Sequence, residues 1–165
     1  MRPSSTPSRF RRHLRRGGLT IEFLLIFLVL LVAVLASFQF GIAMVIRQAI
    51  SHSATVAARE AGKFADADEL VEVVNQILCV HQLQVGDDVT VILEDPENLL
   101  EPVAVRGNVD CDPPAGPILI EHAVRVTVCV RIDSAPFYNA LACYGIDFTG
   151  KHFQFSSVVL KEVNL

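Results

Sequence analysis

From Phe23 to Ile46 the chain carries no charged residue, and only Ser37 and Gln39 are clearly polar. A run this long exceeds what the core of a small soluble domain buries. At about 1.5 Å of rise per residue, a helix of about 24 residues reaches roughly 36 Å, enough to cross a hydrocarbon layer of about 30 Å with some tilt. One carboxylate, Glu22, sits at the start of this run, five residues past Gly17. A charge there is costly unless it meets a partner.

Charge divides sharply about the run. Residues 1–16 carry six arginines and no acid, whereas from residue 47 onward eight Lys or Arg face seventeen Asp or Glu. Basic residues flanking an apolar span stay on the cytoplasmic side, so the pattern predicts an N-terminus inside and everything from Arg47 outside. A nucleic-acid-binding arm is the rival reading of the arginines. Their position against the apolar run, with Phe10 as the only aromatic among them, favours the topogenic role and no nucleic-acid partner. A secretory signal is a second rival, since Val34-Leu35-Ala36 fits a small-residue cleavage pattern. The apolar run continues ten residues past Ala36, beyond the length of an ordinary signal core.

Four cysteines, Cys79, Cys111, Cys129 and Cys143, fall on the side assigned outside, where disulfides persist. None forms a C-x-x-C pair, so two bridges are expected rather than zinc, with all three pairings open.

Past the span, Ile46, Ile50, Ala54, Ala57, Ala61 and Phe64 recur in steps of three or four, the period of one helix face. One helix is expected from about Leu19 to Phe64. Ser53, Ala57 and Ala61 form a small-residue stripe that suits either a second helix or the protein's own domain. Asp66 with Glu69 has capping-box character and opens a second helix whose stripe is Leu70, Val73, Val74, Ile77 and Leu78. Gly86 and Asp87 predict a turn into a strand over Asp88–Glu94. The proline-rich stretch Asp95–Pro117 predicts a long loop, tethered by Cys111. Val124, Val126, Val128, Val130 and Ile132 alternate with Arg125, Thr127, Cys129 and Arg131, a strand with one core face and one polar face. Residues 133–145 predict a helical turn or loop, and Asp147–Val163 a last strand or hairpin turning at Gly150 and Lys151.

The resulting expectation is an α+β protein: a long N-terminal transmembrane helix, a second helix and a small antiparallel sheet. Its parts are a basic leader (1–17), a transmembrane helix (18–46), an extracytoplasmic extension of that helix (47–64) and a small extracytoplasmic α+β domain (65–165).

The stretch Gly17-Gly18-Leu19-Thr20-Ile21-Glu22-Phe23, the apolar helix and the segment Ala57-Ala58-Arg59-Glu60-Ala61-Gly62-Lys63-Phe64-Ala65 together resemble the TadE-like pseudopilins of tight-adherence (Flp-type) pilus systems, relatives of type IV pilins. That resemblance covers residues 11–65. It implies a single-pass precursor in the bacterial inner membrane, cut by prepilin peptidase between Gly17 and Gly18. It also implies that Glu22 and Phe23 serve processing and assembly, and that the partners are other pilin or pseudopilin subunits and tight-adherence assembly proteins, in a pilus with an adhesive role. A membrane-anchored binding or adaptor domain without a pilus role is the alternative. No catalytic motif, cofactor fingerprint or metal-ligand spacing stands out. His52 between two serines, and His81, His122 and His152 in separate elements, are expected to be non-catalytic, and no enzyme activity is expected.

Overall fold

The computed structural model describes residues 11–162 apart from 117, 119, 135–141, 143, 144, 146 and 148. Helix α1 spans Arg11–Gly62 and α2 spans Ala67–Leu78; strands β1 (Val89–Glu94), β2 (Val103–Arg106), β3 (Ala123–Arg131) and β4 (His152–Leu160) follow. The chain divides into two units, the first ending at Phe38 and the second beginning at Gln39. This is the expected α+β layout of long apolar helix, second helix and antiparallel sheet.

The first unit is a single helix whose apolar side chains, from Ile21 through Phe38, face outward. No proline interrupts α1, and its hydroxyl groups turn back onto the helix: Ser37 Oγ donates to the Ala33 carbonyl at 2.8 Å, and Thr55 Oγ1 to that of Ser51 at 2.8 Å. Polar side chains thus satisfy themselves locally.

In the second unit the strand order is β2-β1-β3-β4. All neighbours are antiparallel, with Val91 opposite Val128 and Val128 opposite Phe155. One sheet face presents Val89, Val91, Val124, Val126, Val128 and Val130. It packs on Ile46, Ile50, Ala54, Ala57, Ala58 and Ala61 of α1 and on Leu70, Val74 and Leu78 of α2. The small-residue stripe is thereby settled: Ser53, Ala57 and Ala61 are buried within this unit. Alanines let the helix lie close to a sheet already crowded with valine, and each fully buried Val or Leu contributes about 1.5–3 kcal/mol.

Helix α1 stops earlier than expected. Phe64 N–H donates to Ala61 and Ala65 N–H to Glu60, while Phe64 takes a left-handed φ of 67°. This is a Schellman ending with phenylalanine in the place usually held by glycine. Phe64 is consequently exposed, not part of the core face. The glycine comes two residues earlier for a different reason: a Cβ at Gly62 would stand 3.0 Å from the Leu160 carbonyl oxygen, and Glu162 N–H donates to the Gly62 carbonyl at 2.8 Å. The capping box forms as expected, with Asp66 Oδ1 accepting from Ala67 N–H at 2.7 Å and Glu69 Oε2 from Asp66 N–H at 3.3 Å.

Two expectations for the sheet need correction. The proline-rich segment contains a short strand, β2, at the sheet edge, flanked by Pro102 and Gly107. The second face of β3 is not simply polar either, because Thr127 and Cys129 are wholly buried. The chain after β2 crosses that face as a strap. Gly107 lies so close to β1 that a Cβ would come 2.3 Å from the Val89 carbonyl oxygen. Thr90 Oγ1 accepts from Val109 N–H at 2.7 Å and donates to its carbonyl at 3.1 Å. Cys111 is bridged to Cys129, and Gln154 Nε2 donates to the Asp112 carbonyl at 2.6 Å. The strap therefore touches β1, β3 and β4 in succession.

At the C-terminal end a single strand replaces the hairpin option. Asp147 and Gly150 turn the chain, after which Phe153, Phe155 and Val159 of β4 join the core while Leu160 is exposed.

Candidate functional site

Residues Gly17 and Gly18 lie within the continuous helical backbone of α1. Glu22 and Phe23 follow on its exposed surface, and the Phe23 ring stacks with that of Phe27 at a centroid separation of 6.4 Å. Over Thr20–Gly62 the helix is long and apolar enough to cross a membrane, with a mean hydropathy of 2.9 in its most apolar stretch and none of that stretch buried. An apolar surface of this size, wholly unburied, needs a non-aqueous environment or other apolar helices. A carboxylate at its edge is the one strongly polar group in that surface between Thr20 and Phe38.

The cysteines separate into different roles. Cys111 is bridged to Cys129, with Cα atoms 6.4 Å apart. Cys79 is exposed at the C-terminal end of α2, carries no bridge, and its Sγ donates to the Gln76 carbonyl at 3.1 Å. Cys143 lies outside the described residues. One bridge, rather than the two expected, is therefore found among the described residues.

A charged cluster not foreseen from sequence occupies the end of the sheet where β1 leaves and β3 enters. Arg125 grips Glu94 with two hydrogen bonds of 2.5 and 2.6 Å and also donates to the Gly116 carbonyl at 3.1 Å. Both side chains are largely shielded, at 11% and 14% exposure. The hydrogen bond to Glu94 holds the Arg125 guanidinium even above its usual range. Beside it, Lys161 Nζ lies 2.7 Å from Asp95 and 3.1 Å from Glu97, and Glu97 also meets His122 Nδ1 at 2.5 Å. Burial pulls the Lys161 ammonium down, but the hydrogen bonds and charges of Asp95 and Glu97 together outweigh it and leave it raised. The hydrogen bond from Lys161 in turn lowers the Glu97 carboxyl. A signal was present in the sequence: Glu94 and Arg125 both fall on the off-core parity of their strands, and register alone brings them opposite each other.

This cluster walls a cleft of about 270 Å³ between Phe64, Asp66, Leu93, Asp95, Val124 and Lys161. A second cleft of about 370 Å³ shares Glu97 and is otherwise lined by Pro96, Ile118, Ile120, Glu121, His122 and Ala123. Arg125 is paired with Glu94, while Lys161 is shared between Asp95 and Glu97, an arrangement that braces the loops. Among the described residues no three His, Cys, Asp or Glu side chains converge as metal ligands. His52, His81 and His152 stand in separate elements.

An apolar, unburied N-terminal helix leading into a small α+β unit defines the class: a protein able to be anchored in a membrane through one N-terminal helix. Residues 17–59 match the TadE-like protein family. The matched stretch contains Gly17, Glu22, Phe23, the apolar run and the core-facing alanines up to Arg59. Comparison with curated proteins and with solved structures gives no match.

Proposed function

We propose that this protein is a minor pilin or pseudopilin. It inserts in the inner membrane as a precursor with its arginine-rich end in the cytoplasm, is cut by prepilin peptidase after Gly17, and contributes to assembly of a tight-adherence pilus or related secretion apparatus. The observation that carries this reading is the position of Glu22 in an unburied apolar helix five residues beyond Gly17, within the TadE-like match.

The chemistry follows from that position. In a membrane edge the Glu22 carboxylate lacks water to solvate it, and an oppositely charged group is its natural complement. Cutting at Gly17–Gly18 creates one, the α-amino group of Gly18, whose ordinary pKa near 7.7–8.0 leaves it largely charged at neutral pH. A Gly18 ammonium of one subunit meeting Glu22 of a neighbour would tie assembly to processing. Phe23 and the residues after it supply the surface along which helices pack. The α+β unit is then the exposed part, with a binding rather than a catalytic role.

Co-expression with a prepilin peptidase followed by N-terminal sequencing tests the proposal. A mature start at Gly18 is the expected result. An intact arginine arm would instead make the chain a plain anchored adaptor, and a start after Ala36 would make it a secreted protein. Glu22→Ala is expected to be defective in incorporation, and wild-type incorporation of that variant would overturn the pairing role.

A further inference from the structure

Strand β2 and the loop before it form an exposed apolar strip on the open edge of the sheet. Leu99 and Leu100 are 95% and 98% exposed, and Val103 and Val105 about half. The leucines are held out by an ordered turn, not a slack loop. Asn98 Oδ1 accepts from both Leu100 N–H and Glu101 N–H at 3.2 Å, Glu97 N–H donates to Asp95 Oδ1 at 3.1 Å, and Asp95 N–H donates to the Pro102 carbonyl at 2.9 Å.

The same hairpin fixes which backbone groups face outward. Residues opposite each other in an antiparallel pair alternate between bonded and non-bonded. The Asp95–Pro102 bond makes Leu93–Ala104 and Val91–Arg106 the bonded pairs, so the N–H and C=O groups of Val103 and Val105 point away from β1. Arg106 Nη1 reaches the Val105 carbonyl at 3.2 Å, as that direction requires. Among the described residues no strand pairs with this edge. An open edge flanked by exposed apolar side chains is a template for another strand.

Charge selects the visitor. Lys161 is shared between Asp95 and Glu97, Arg106 between Asp68 and Glu101, and His122 also meets Glu97, so four carboxylates around the strip face one lysine, one arginine and one histidine. The surplus is negative, which disfavours an anionic lipid surface and favours a basic partner.

We propose that the Leu99–Val105 strip is a docking site for an extended segment of a partner protein that alternates apolar and basic side chains, adding as a strand to β2. Val103 and Val105 supply the main-chain hydrogen bonds. Leu99 and Leu100 enter an apolar pocket on the partner, and its cations meet Glu101. The docking is independent of the processing at Gly17.

The test uses the full chain in nanodiscs of neutral lipid, with three probes: a short peptide alternating valine and lysine, its valine–glutamate counterpart, and phosphatidylglycerol vesicles. The valine–lysine peptide is expected to bind and to slow amide exchange at Val103 and Val105, leaving Ala104 and Arg106, already bonded to β1, unchanged. The double variant Leu99→Ser, Leu100→Ser is expected to weaken that binding about tenfold or more. Its thermal unfolding should not move, because both side chains are already in water. Equal binding of the acidic peptide, no slowing of exchange by either peptide, undiminished binding by the double variant, or protection by the vesicles alone would each overturn the proposal.

Discussion

Removing the Cys111–Cys129 bridge is expected to destabilise the α+β unit by about 3 kcal/mol. The bridge closes a loop of sequence separation 18. Loop-closure entropy for that length, roughly 10–11 cal/mol/K, gives about 3 kcal/mol at room temperature. The structure explains why the native side of the balance should not cancel this. Cys129 is buried on a sheet face crossed by the strap, so freeing Cys111 loosens the segment that is bonded to Thr90. The variant is Cys111→Ser, measured by urea unfolding of the full chain in micelles and followed by the β-sheet circular dichroism signal. With an ordinary urea slope for a unit of this size, the midpoint falls by about 2 M. A decrease below about 0.5 M would mean that the strap's hydrogen bonds alone hold it, and would refute the reasoning.

Further outcomes follow from the same contacts. Thr90→Val removes both bonds to Val109 and leaves a buried N–H and C=O unpaired, so it should cost about 2–4 kcal/mol in the same urea assay, against under about 1.5 for Thr127→Val, which loses only its bond to Ser156. Phe64→Gly should stabilise by about 1 kcal/mol, read as a higher melting temperature, because Phe64 is exposed and left-handed. Stability should also fall at both pH extremes through Lys161. The folded Glu97 carboxyl is lowered and so binds fewer protons than the unfolded chain, which places its stabilisation above pH 4.5 and removes it as pH falls below. The folded Lys161 ammonium is raised, so its share is present below pH 10.5 and is lost as pH rises through its folded value. Lys161→Met should flatten both flanks in melting temperatures measured across pH; unchanged flanks would refute the assignment.

Phe23 to Ile46 is apolar in every direction, a one-dimensional property, so a helix suited to a membrane was legible from residue order alone. The same holds for the Asp66–Glu69 cap and for the alternation in β3, since each depends on neighbours within a few positions. Helix α2, β1 and β3 were accordingly expected near where they lie, whereas α1 begins at Arg11, before the expected start near Leu19.

Other features depend on segments far apart in sequence. Local order could not say which cysteines meet; the crossing of Cys111 over β3 brings it to Cys129. Valines at 103 and 105 between prolines looked like loop, and became β2 because β1 offered an edge with matching register. Thr127 and Cys129 read as a solvent face, yet both are buried, Cys129 under the strap that is anchored where Gly107 lacks a Cβ against Val89. Ser53, Ala57 and Ala61 suited either a foreign helix or a home sheet, and the valines of β1 and β3 claimed them. Sequence by itself determined the long apolar helix, the second helix and the strand alternation, because those arise from local periodicity and solvent preference. Tertiary structure alone decided what covers each face and which charges meet, because those outcomes depend on which distant surfaces reach each other first-hand in space.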